Sequence, residues 1–188
     1  MISDSSTATP VFIEVKPDWQ KPVQVVTAFR TTIAETRNEG RQRARWRGSP
    51  RYSITYLSTA LTIAEHGLRR AELLGELKAP LVCPIWPDAF ALDSMLSTHV
   101  ADLGESLAKK RFKVGSYAYF EQAGNVSTFR KIASISGTTI TFEAASVPVF
   151  TSGATVYPCV VGFRPKNSAA FVSNKIDQSD EAVSVEEL

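Results

Sequence analysis

Three observations predict an α+β fold dominated by antiparallel strands. Apolar and Thr residues alternate through 23–33, a helical repeat occupies 60–78, and short strand-like runs separated by turn signals fill the chain from Phe112 onward. Together they imply an N-terminal β-sheet with a long hairpin, one amphipathic helix, and a C-terminal small β-barrel or sandwich-like module.

Residues 1–10 are polar and Ser/Thr-rich, and read as a flexible arm. The apolar run 11–15, ended by Lys16-Pro17-Asp18, is a candidate first strand. From Trp19 the pattern sharpens: Val23, Val25, Thr27, Phe29, Thr31 and Ile33 fall on one face, with Gln24, Arg30 and Thr32 among those opposite. Asn38-Glu39-Gly40 signals a turn, because Asn and Gly both accept positive φ. Beyond it Arg41, Arg43, Arg45 and Arg47 stand at alternate positions, flanked by Arg37 and Arg51 and interrupted by Trp46, so the two segments read as a β-hairpin.

Gly48-Ser49-Pro50 breaks the chain, and 51–58 alternates Tyr52, Ile54 and Tyr56 against Ser53, Thr55 and Leu57 as a third strand. In 60–78, Leu61, Ala64, Leu68, Ala71, Leu74 and Leu77 recur at helical spacing, with Thr59 as N-cap. Gly67 and Gly75 weaken that helix by about 1 kcal/mol each relative to alanine. Residues 81–86 form a buried-type strand in which Pro84 suits a sheet edge or a bulge, and Trp86-Pro87-Asp88 turns the chain outward. Strands are expected over 116–122, 128–136, 138–144 and 154–163, with Gly124-Asn125, Gly137 and Ser152-Gly153 between them. Past Pro165 the pattern fades, and the acidic end is expected to be mobile or to dock on a neighbour. The implied division is an arm (1–10), a hairpin and helix domain (11–110), a β-rich module (111–165) and an acidic extended tail (166–188).

Charge is distributed unevenly. The 21 Lys and Arg nearly balance the 19 Asp and Glu, and a net charge of +2 is too small to mark a dedicated nucleic-acid binder. Yet six arginines crowd into 37–51, while 176–188 carries Asp177, Asp180, Glu181, Glu186 and Glu187 with no base. A cationic ladder on one strand face must meet water, the carboxylates of a neighbouring subunit, or a polyanion, because guanidinium groups resist desolvation unless paired. The first ten residues lack the basic and apolar regions of a secretory signal, and the expectation is synthesis in the cytoplasm. Cys83 and Cys159 belong to no CxxC pattern and read as buried free thiols, with a disulfide as the alternative.

No reaction is expected. His66 and His99, the two histidines, sit in no metal-ligand spacing, and no cofactor or metal motif occurs. Asp88, Asp93 and Asp102 share one loop-like region that could supply carboxylates, for example to a hydrolase, but solvated loop carboxylates are the simpler reading.

The order of motifs resembles that of tailed-bacteriophage minor tail or distal tail proteins, from about residue 19 to 163. The positions that carry the likeness are Glu35, Thr36, Gly40, Arg41, Arg43 and Pro50 in the hairpin, Trp86-Pro87-Asp88 in the middle, and Gly153, Val156, Tyr157 and Pro158 in the last module. The resemblance implies a non-enzymatic structural protein of the virion tail tip or baseplate. It would form a homo-oligomeric ring, a hexamer by analogy, between the tail tube and the hub and fibres, with no membrane partner and with DNA only as what passes through the lumen. Candidate interface residues are then Arg37, Arg41, Arg43, Arg45, Trp46, Arg47, Arg51, Trp86 and Tyr157. The alternative is a binding module for DNA or polysaccharide that uses the ladder from Arg41 to Arg47.

Overall fold

The computed structural model describes residues 9–28, 31–35, 41–45, 50–60, 79–108, 110–124, 126–144, 150–163, 171–175 and 178–187. In chain order the strands are β1 (Val11–Phe12), β2 (Gln24–Ala28), β3 (Thr31–Glu35), β4 (Arg41–Arg45), β5 (Arg51–Ala60), β6 (Leu81–Pro84), β7 (Phe90–Ala91) and β8 (Ser94–Ser97). They continue with β9 (Val100–Asp102), β10 (Tyr117–Gln122), β11 (Val126–Ser136), β12 (Thr139–Phe142), β13 (Thr155–Phe163), β14 (Phe171–Lys175) and β15 (Gln178–Glu187).

The expected α+β class is corrected to all-β: among the described residues there is no helix, and the sheet curls into a half-barrel. Residues 61–78, which carry most of the expected amphipathic helix, lie outside the described residues. Thr59 and Ala60 do not cap a helix but extend β5, where they pair with Asp180 and Ser179 of β15. A partner strand running alongside satisfies their backbone groups, and β-branched Thr suits that setting.

One sheet of 13 strands holds the main body, in the order β2-β5-β15-β13-β10-β11-β12-β9-β8. The separate C-terminal barrel or sandwich is likewise not formed, since β10 to β13 belong to this same sheet. β13 joins its halves: Val160 faces Cys83 on β6, Tyr157 faces Tyr119 on β10, and Gly162 faces Glu187 on β15. Along β10 the alternation serves two cores, with Tyr119 in one and Ala118 and Phe120 in the other. The first core also holds Ile54, Tyr56, Trp86, Val183 and Val185, and the second Leu92, Ile132, Ile140, Phe142 and Phe150.

Pro84 closes β6 where the ladder to β1 stops. Val11 and Ile13 donate to the carbonyls of Pro80 and Val82, and the next donor facing β1 would be residue 84, which has no N–H. The β11–β12 hairpin turns through two residues, with Ser136 opposite Thr139 and Gly137 at φ 60°. Primed two-residue turns need that positive φ.

Most of the acidic end is part of the sheet within its own chain. Its residues form β15, which lies between β5 and β13 with Val183 and Val185 buried. Glu187 accepts the Tyr52 N–H at 2.7 Å and ion-pairs with Lys113, which also sits 4.5 Å from the Tyr52 ring centroid.

Candidate interaction surface

The arginine ladder starts from backbone pairing. β3 and β4 form a separate two-stranded antiparallel sheet with Thr31 opposite Arg45, Ile33 opposite Arg43 and Glu35 opposite Arg41. Directly opposed residues share a face, so the positions of Arg41, Arg43 and Arg45 lie on one face of the ribbon with Thr31, Ile33 and Glu35. Gln42 and Ala44 fall on the other with Ala34 and Thr32. Cationic positions therefore recur about every 6.7 Å along β4. Both legs of the hairpin leave the main sheet at one corner, where Ala28 of β2 pairs with Arg51 of β5. Arg37, Trp46 and Arg47 lie outside the described residues.

Two interface candidates are placed in the protein's own core. Trp86 is 2% exposed and meets the rings of Tyr119 and Tyr157 edge-on at 5.7 and 5.3 Å. Burying an indole this completely is worth several kcal/mol in core packing, and it leaves nothing to present to a partner. Tyr157 is half-buried in the same cluster. Arg51, at the start of β5, is also half-buried.

The three loop aspartates fare differently. Asp88 is held by Arg111, whose Nη1 donates to both carboxylate oxygens at 3.0 and 2.8 Å. Asp102 accepts the Gly104 N–H at 2.9 Å, and this bond, joined by one from Thr138, holds its carboxyl below the usual carboxylate range. Asp93 is exposed, and its N–H donates to the Asp102 carbonyl at 3.0 Å. A cleft of about 400 Å³ opens beside it, lined among others by Leu92, Leu103, Gly104, Glu105 and Ser152. Among the described residues no group of three or more His, Cys, Asp or Glu is arranged to hold a metal. His99 lies in the turn between β8 and β9, and His66 lies outside the described residues. Cys83 and Cys159 are free and buried, as expected; burial pushes the Cys83 thiol up to about 12 and the Cys159 thiol well above its ordinary value.

Sequence reasoning missed Arg130. It is 3% exposed and lies over the rings of Phe120, Phe142 and Phe150 at 5.2, 5.6 and 5.3 Å, with Nη1 donating to the Thr98 carbonyl at 3.3 Å. The available signal was its period-two phase with Ile132, a core residue on the same strand. Also missed were the two ends of the main sheet, β2 and β8, each paired on one side among the described residues. Compared with protein-family models and with curated proteins, the chain matches none.

Proposed function

We propose that this chain is a structural virion protein of a phage tail tip or baseplate, which assembles into a ring connecting the tail tube to the hub and fibres. The observation that carries the reading is the arginine ladder on a paired hairpin that leaves one corner of a large sheet, in the order of motifs that such proteins share. A head-to-tail ring needs each subunit to present unlike surfaces on its two sides. A ribbon with three cationic positions on one face is suited to reach a neighbour and fix its register by charge. The acidic counterpart is not Glu187, which is committed to Lys113 and Tyr52 within its own chain. The deciding experiment is detection of the chain in purified particles, by sedimentation and by antibody labelling in electron micrographs. Labelling at the tail end distant from the head is expected; particles that lack the chain would overturn the reading.

The same ladder favours a second reading, a polyanion-binding module for DNA or polysaccharide. Regular cationic spacing along one ribbon face suits a repeating phosphate or sulfate polymer as well as a protein. Its signature is affinity that falls steeply as salt rises, and a flat response would remove it.

A further inference from the structure

We propose that copies of this chain associate through the two ends of the main sheet, the β2 edge of one copy receiving the β8 edge of the next. The inference rests on the self-assembly reading above and names the surfaces it uses. Among the described residues β2 pairs with β5 alone and β8 with β9 alone, so each leaves a row of backbone groups facing outward. Such a row is a template for another strand. β2 carries none of the devices that blunt an edge: over Gln24–Ala28 there is no charge, no proline and no register shift.

Each end carries exposed apolar side chains among polar ones. Val26 is 44% exposed and Trp19 63% exposed; Trp19 is brought beside β5 by the Asp18 N–H, which donates to the Leu57 carbonyl at 2.8 Å. A cleft of about 400 Å³ runs between 22–24 and 55–57. At the other end Leu96 of β8 is 61% exposed. These side chains would be covered when the two edges meet.

Charge selects a second copy as the occupant and sets its direction. β2 leads within two residues into the hairpin with Arg41, Arg43 and Arg45. β8 begins beside exposed Asp93, and its Ser94 pairs with Asp102. Like ends repel and unlike ends attract, so the contact is heterologous and repeats from subunit to subunit. β8, unlike β2, carries an edge-blunting device, the register shift between Met95 and Ser97, which restricts the strands it can meet to those of matching shape.

The test uses the full chain with Gln24→Cys or Val26→Cys on β2 combined with Ser94→Cys or Leu96→Cys on β8, four pairs that cover neighbouring registers. The native thiols are buried and do not compete. Under mild oxidation, at concentrations where light scattering shows assembly, at least one double variant is expected to give a ladder of disulfide-linked oligomers, and every single variant to stay monomeric on a non-reducing gel. Dimers from a β2 variant alone would place β2 against β2 and overturn the proposal. Assembly with no cross-link in any pair would overturn the edge contact while leaving ring formation standing. A monomer at every concentration would overturn the pairing of copies, whereas presence in the particle, measured separately, decides the virion reading.

Discussion

Arg130 keeps a charge among three phenylalanine rings, with its guanidinium over their faces and one Nη1 bond to the Thr98 carbonyl. Each ring face attracts the cation, and the side chain also fills the space between β11 and the rings. Arg130→Ala removes both contributions, and an equilibrium denaturant titration is expected to show a loss of about 2–4 kcal/mol. Asp102 gives a pH signature instead. Its folded pKa lies below the unfolded 3.8, so folding favours the ionised form. The associated stability is present above the unfolded value and is lost as pH falls through the folded one. Asp102→Asn is expected to flatten this part of the acid-unfolding profile, seen by following the unfolding midpoint against pH. At this scale the sequence was readable where a pattern had one meaning, as with the turn at Gly137. It misled where one residue type serves two purposes. Trp86 reads equally as an interface anchor or a core anchor, and only its neighbours Tyr119 and Tyr157, distant in sequence, decide between them.

Strands were legible as elements because period-two alternation is local. β4, the long β5 and the run from β10 to β13 fall within a few residues of their expected positions, whereas the expected hairpin leg over 23–33 is divided between β2, which pairs with β5, and β3, which pairs with β4. The assembly of β5 and β10 to β13 into one sheet was not legible, because β13 recruits β6, β7, β10 and β15 from across the chain and no local pattern encodes that choice. The acidic end misled for a related reason: the pairs Asp180-Glu181 and Glu186-Glu187 on either side of Val183 and Val185 read as a solvated tail until β5 and β13 are there to flank it. β15 is structural, and truncation after Lys175 is expected to abolish cooperative unfolding by circular dichroism, not to yield a folded subunit deprived of a charged tail. In the β11–β12 turn, Gly137→Val places a β-branched side chain at φ 60°. The expected cost is about 1–3 kcal/mol in thermal or denaturant unfolding.

Across the whole molecule, charge is unevenly placed. A net +2 conceals a basic corner, where β2, β5 and the hairpin meet, and an acidic end around Asp93 and Asp102. Arg43→Glu with Arg45→Glu is expected to shift the light-scattering mass of the chain toward the monomer while leaving the unfolding midpoint unchanged, since these positions lie on a sheet separate from the main body. The unaltered chain should assemble less as salt rises, because screening shortens the reach of exposed charges to about 8–10 Å at moderate ionic strength.

The place of β15 also sets a timetable for synthesis. Tyr52 and Glu187, joined across the sheet, are 135 positions apart, which at about 5–20 residues per second corresponds to roughly 7–27 s of translation. For that interval β5 has left the ribosome with β2 beside it and its other edge bare. The chain carries an open, Thr- and Tyr-rich strand throughout that interval, and a cell making it in bulk must shield that strand or tolerate some misassembly before the sheet can close.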